Sequence, residues 1–162
     1  MANSVNTQRA ERKLALLARY TAEFVKKALD DFAEAFRRYL LTETIAGAPG
    51  TMVIAAPGSK TVVGVDTGGL RRSYSFIEKV GPFRVLRANE TVAPYAQDVA
   101  ETVDFIQGRD FLRVTQFFYE KKMKANLEDE FQRMAGAANN LQAWSYRSPF
   151  PVSASSLGEG GI

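Results

Sequence analysis

Few residues in this chain have the type and spacing for covalent or acid–base chemistry, and the most suggestive are Val65-Asp66-Thr67-Gly68. An apolar run entering Asp-Thr-Gly is how aspartic proteases place two carboxylates together, sharing one proton and activating water. A dimer could supply the second Asp66. No second apolar-apolar-Gly run and no Gly-rich flap follow, and two long helical patterns dominate the chain where that chemistry needs strands. A turn in which Asp66 accepts bonds from nearby backbone amides is the simpler reading. Gly58-Ser59-Lys60-Thr61 ends like a phosphate loop, but Ser59 stands where a glycine must precede the lysine, and no helix follows. Asp30/Glu34 and Glu101/Asp104 have helical spacing without surroundings that would tune a pair, and read as solvated helix faces.

Two absences exclude more. Among 162 residues there is no His and no Cys. Ser-His-Asp and Cys-His catalysis are thereby removed, as are imidazole or thiolate zinc sites and any disulfide framework. No catalytic, cofactor-binding or metal-ligating residue is assigned, no cofactor is expected, and the chain does not read as an enzyme.

The charge is modestly basic, 21 Lys and Arg against 18 Asp and Glu, and spread along the chain. Solvated faces account for most of it. Arg71, Arg72, Arg84 and Arg87 nevertheless come close in sequence around a hairpin pattern. Repeated around a ring, they would form a positive collar suited to passing phosphates; on one subunit they would amount to little.

The elements that must position these residues follow from periodicity. With 46% hydrophobic and 24% charged residues, the chain has the composition of a globular domain. Residues 7–42 predict one amphipathic helix, with Leu14, Leu17, Thr21, Phe24, Val25, Ala28, Phe32, Phe36, Tyr39 and Leu40 at steps of three and four. At 1.5 Å per residue, ~35 residues span ~50 Å, too long for one small domain to cover. Part of the stripe is therefore expected on another chain, until a Gly/Pro stop over 45–50. Thr51–Ala55, Thr61–Val65, Ser73–Val80 and Phe83–Val92 predict strands, the last two joined at Gly81-Pro82 as a hairpin. A second helix is expected to start at an Asp110 N-cap and run to about Ala135, stopped by Gly136. Residues 137–162 are rich in Ser, Ala, Gly and Pro yet hold Trp144, Tyr146 and Phe150, and read as an extended arm docking on a neighbour. The expected fold class is thus α+β, a small mainly antiparallel sheet packed by two helices. The domain is placed at 1–136 and the arm at 137–162. The polar start and the interrupted apolar cluster at Leu14, Leu16 and Leu17 predict no signal peptide, and the longest uncharged stretch, Thr44–Ser59, carries two prolines. A soluble chain with no membrane partner is expected.

Asp66-Thr67-Gly68-Gly69-Leu70-Arg71-Arg72-Ser73, then a hairpin, then Ala93-Pro94-Tyr95-Ala96, then Gly108-Arg109-x-Phe111-Leu112 opening a helix, follow one another in an order that resembles the neck and tail-completion proteins of tailed bacteriophages. The likeness spans residues 9–135. It departs after Ala-Pro-Tyr-Ala, where this chain has Ala100-Glu101-Thr102 in place of the family's Gly-Thr, and the aromatic arm has no counterpart in the pattern. The resemblance implies a structural virion protein, assembled in the bacterial host cytoplasm. It would be a ring, commonly hexameric, at the head–tail junction or the top of the tail tube. As a tail terminator or head–tail joining protein it would meet the tail tube protein on one face and the head connector or neck proteins on the other. Genomic DNA would pass through its lumen. On that reading Arg71, Arg84 and Arg87 are candidates for the lumen, and Phe36, Tyr39, Trp144, Tyr146 and Phe150 for contacts between subunits. A basic DNA-binding accessory protein and an aspartic protease using Asp66-Thr67-Gly68 are the alternatives.

Overall fold

The three- and four-residue recurrence of apolar side chains in the first third forms one helix, α1 (Ala2–Tyr39), prolonged by a π turn over Leu40–Thr44. The computed structural model describes residues 2–47, 52–53, 62–64, 68–74, 77–96 and 111–150. After α1 come β1 (Ile45–Gly47), β2 (Met52–Val53), β3 (Val62–Gly64), α2 (Gly69–Ser73), β4 (Ile77–Val80) and β5 (Phe83–Leu86). Then follow α3 (Phe111–Phe118), a second π turn (Tyr119–Met123) and α4 (Lys124–Asn139). The architecture is α+β, as its sequence implies. The Ser59-Lys60 segment, Asp66 and Thr67, Glu101 and Asp104, the Asp110 cap and residues 151–162 lie outside the described residues.

Both π turns have a packing consequence. Each accommodates one residue more than an α turn, closed by an amide bonding five residues back: Ile45 N–H to Leu40 O, and Lys124 N–H to Tyr119 O. Buried positions therefore step by five across them. Tyr39 and Thr44 are both buried, as are Leu40 and Ile45, and Phe118 and Met123. Tyr119, which opens the second π turn, is partly exposed.

The chain groups into two compact units, Met1–Ala28 with Asn126–Ile162, and Leu29–Ala125. In the first, Tyr20, Met134, Ala138 and Trp144 form a core flanked by Leu16, Leu17, Phe24 and Tyr146. The Tyr20 and Trp144 rings lie 5.4 Å apart and Phe24 meets Phe131 edge-on at 5.9 Å, separations at which aromatic pairs attract beyond their area burial. In the second unit Phe32, Phe36 and Tyr39 gather on Phe118, with centroids at 5.6, 5.7 and 5.1 Å.

Strands belong to the second unit. The β1-β3-β2 sheet is mixed: β3 runs parallel to β1 and antiparallel to β2. Residues 45–47, expected as part of a helix stop, instead form an edge strand whose Ile45 is fully buried. The hairpin closes at Gly81-Pro82, with Val80 opposite Phe83 and Gly81 at φ +57°. Proline cannot take positive φ, so the first loop position alone carries it, the type II′ pattern. The strands are shorter than expected. Ser73 belongs to α2, because the Arg72 amide bonds Gly68 O and the Ser73 hydroxyl bonds Leu70 O at 2.6 Å. Beyond Leu86 the chain leaves the ladder for a turn around Asn89, whose carbonyl accepts from Val92 and Ala93.

Gly136 does not end α4. The helix continues to Asn139 and stops in a Schellman arrangement, with Leu141 N–H on Ala138 O at 3.2 Å and Gln142 N–H on Ala137 O at 2.8 Å. Leu141 occupies the left-handed position of this motif at φ +55°, which glycine normally fills. Its side chain is exposed, so little burial is at stake. Leu141→Gly should raise unfolding free energy by about 1 kcal/mol in urea titration, and Leu141→Val should lower it.

Candidate functional site

Gly68 opens α2 in the left-handed conformation at φ +72°, turning the chain so that Leu70 and Ser73 point inward and Arg71 and Arg72 outward. The turn thus sorts the Gly68–Ser73 segment into core and surface residues. Arg87, just past β5, is also exposed. Of the three residues assigned to a lumen, Arg71 and Arg87 therefore present free surface, whereas Arg84 does not.

Arg84 projects from β5 toward α1, where its Nε donates to Asp30 Oδ1. Its side chain is 10% exposed. Lys79, from the paired strand, reaches the same oxygen at 3.1 Å but remains 64% exposed. One turn along α1, Glu34 accepts two bonds from Arg37, at 3.1 and 2.6 Å. These groups line a cleft of about 330 Å³ between α1 and the hairpin, with Ala33 and Ile77 as its apolar walls. The Arg84 bond, with help from Lys79, holds the Asp30 carboxyl below its ordinary range against the opposing effect of burial. Arg37 does the same for Glu34. Both carboxylates are thus ionised and engaged at neutral pH, which suits a clamp and not a proton donor. Among the described residues no group of three acidic, His or Cys side chains converges in a metal-binding arrangement.

The residues assigned to subunit contacts sit largely inside their own chain. Phe36 and Tyr39 pack on Phe118, Trp144 on Tyr20, and Tyr146 on Phe24 at 6.4 Å. Phe150 is half-buried. Over 142–150 the expected arm is a strap on its own unit, because α1 and α4 supply the apolar surface it was thought to lack. Polar bonds fasten it. Tyr20 Oη donates to Gln142 O at 3.0 Å, Asn126 Nδ2 to Pro149 O at 2.9 Å, and Arg133 to Ser145 O.

At the centre of the fastening is Glu130, a buried carboxylate on α4. It accepts from Arg133 at 2.8 and 2.5 Å and from the Arg147 amide at 3.0 Å. Burial by itself would push this carboxyl up; the two donors outweigh it and hold the group below its ordinary value. Sequence reasoning passed over Glu130 and read Asp30 and Glu34 as a solvated helix face, whereas Arg84 and Lys79 engage the first carboxylate and Arg37 the second. Glu130 has a local signal, an acid three residues before Arg133 on a stripe of otherwise apolar positions. For Asp30 the partner is 54 residues away, and nothing local marks it.

Asp30→Ala should cost about 1–2 kcal/mol in chemical denaturation, since it strips a charged bond from the nearly covered Arg84. Lys79→Ala should stay within about 0.5 kcal/mol, because its ammonium is mostly in water. For Glu130 the folded pKa lies below the unfolded value of 4.5, so its contribution is full above that pH and is lost as pH falls through the folded value. Trp144 is the only tryptophan. Its emission should shift to the red as the strap loosens below about pH 4.5, and Glu130→Ala should show the same shift at pH 7.

Comparison with family patterns, with curated proteins and with solved structures gives no match for this chain.

Proposed function

We propose that this chain is a structural protein of a tailed-bacteriophage virion, one subunit of a ring at the head–tail junction or the top of the tail tube. The carrying observation is the ordered set of segments from Asp66 to Leu112 that resembles the neck and tail-completion family. The geometry of two of those segments is compatible with the reading. Gly68 to Ser73 form a turn with Leu70 and Ser73 buried. Ala93-Pro94-Tyr95-Ala96 make a tight turn, the Ala96 amide bonding Ala93 O, with both alanines fully buried. In each, part of the pattern is buried: Leu70 and Ser73 in the first, Ala93 and Ala96 in the second.

Such a protein acts stoichiometrically. Subunits meet through heterologous surfaces that close into a ring, leaving a channel for DNA. Since Phe36, Tyr39, Trp144 and Tyr146 are spent within the chain, the contacts fall to other apolar surface. The tip of the hairpin offers some: Val80 and Phe83 face each other across Gly81-Pro82 and both are exposed, Phe83 by 67%. Arg71 and Arg87 remain the candidates for the channel wall.

Light scattering over a concentration series, with negative-stain imaging of the same sample, tests the reading. Closed rings with a central hole, at a multiple of 17.9 kDa, are expected. Phe83→Asp should shift the mass toward the monomer without unfolding the chain. Asp66→Asn should leave the rings intact, whereas the protease alternative requires it to abolish peptide cleavage. A chain that stays monomeric at every concentration, even with the tail tube protein added, overturns the proposal.

A further inference from the structure

We propose that the face of α1 carrying Arg9, Arg12, Lys13, Arg19 and Lys26 docks on the phosphate backbone of duplex nucleic acid, without regard to base sequence. The first unit's share of this helix is cationic. Residues 2–28 hold six Lys and Arg against two Glu, while the whole chain nets only +3. Position matters more than count. Arg12, Arg19 and Lys26 are spaced by seven, so they stand in a row about 10.5 Å apart, drifting by ~20° per step. Arg9 and Lys13 flank Arg12 at helical neighbour spacing. All but Lys13 are exposed, as is every residue from Val5 to Arg12.

Four acids are held by other cations. Glu23 holds Lys27 at 2.6 Å, Asp30 holds Arg84 and Lys79, Glu34 holds Arg37, and Glu130 holds Arg133. Among the described residues no bond or ion pair joins Arg9, Arg12, Lys13, Arg19 or Lys26 to another side chain. Five cations over about 26 Å of helix, with Glu11 and Glu23 the acids among them, form a positive stripe open to an anionic partner.

Duplex nucleic acid fits best. It carries one charge per roughly 1.7 Å of axis and releases condensed counterions when cations replace them. An α-helix ~10–12 Å across, exposed on every side over Val5–Arg12, also matches a major groove ~12 Å wide. An anionic bilayer fits less well, because the exposed Leu14 lies roughly 200° around the helix from Arg12, so insertion would turn the cations away.

The inference does not rest on ring formation: a monomer can bind, and a ring that ignores DNA would leave the assembly reading standing. The test is fluorescence anisotropy of a labelled 30-base-pair duplex of arbitrary sequence with the full chain, between about 50 and 200 mM NaCl, the range over which phosphate contacts are most salt-sensitive. Five phosphate contacts predict a log–log slope of affinity on salt of about −4.5, falling to about −2 in Arg12→Gln/Arg19→Gln/Lys26→Gln. Glutamine keeps helix propensity close to that of Arg and Lys, and circular dichroism confirms the fold. Lys121→Gln/Lys122→Gln/Lys124→Gln, which removes the same charge from an exposed stretch given no binding role, should bind like the unaltered chain. No binding at 50 mM, an unchanged slope in the α1 variant, or loss confined to the second variant overturns the proposal. So does displacement of the duplex by polyglutamate as readily as by unlabelled duplex, which would assign the face to an acidic protein.

Discussion

The described fold depends on one constraint: a helix as long as α1 cannot hide its own apolar side, so its aromatic stretches must be covered by segments that arrive later in sequence. Around Tyr20 and Phe24 the cover comes from α4 and the strap that follows it. Around Phe32, Phe36 and Tyr39 it comes from α3, with Phe118 touching all three rings. Aromatic residues dominate both places because a ring covers much area while losing few rotamers on burial. The π turns belong to the same problem. Bulky rings at Tyr39 and Phe118 meet at 5.1 Å, and each helix takes its wider turn in the residues immediately after that contact.

Charge is organised by a second rule, that a cation near an apolar wall needs an acid and one in water does not. Arg84 lies almost covered against α1, and Asp30 is there to receive it. Arg133 lies under the strap, and Glu130 answers. Asp30 and Arg84 lie 54 residues apart, and Glu130 and Arg133, neighbours on α4, bond the strap backbone at Arg147 and Ser145, so both pairs specify where the hairpin and the strap sit more than they add stability. The cations from Arg9 to Lys26 on α1 follow the second half of that rule, most of them exposed and none bonded to an acid, which leaves them open to a partner.

Helix positions were legible in the chain because the 3.6-residue period survives over long stretches: α1 falls within a few residues of its expected span, and the hairpin turn sits at Gly81-Pro82 as its residues demand. Strand lengths were not. Ser73 is drawn into α2 by a hydroxyl bond to Leu70, and Asn89 diverts the chain after β5, effects that local alternation of apolar and polar residues does not encode. Gly136 misled in the same way; a glycine within a helix costs about 1 kcal/mol, which packing of Met134 and Ala138 offsets.

For the site, composition alone excluded histidine and cysteine chemistry, since a residue type that is missing cannot be supplied by folding. The amphipathic helices and the turn at Gly68 were likewise present in the one-dimensional pattern, because each depends on neighbours within a turn or two. Tertiary structure alone decided which charges are free and which aromatic residues have a home. Arg84 and Arg87 look alike in sequence, yet only Arg84 finds an acid 54 residues away. Trp144 looks like an anchor for a neighbour until Tyr20 is seen to face it. The physical reason is common to both: pairing across long separations depends on where the chain returns, and local periodicity carries no record of that.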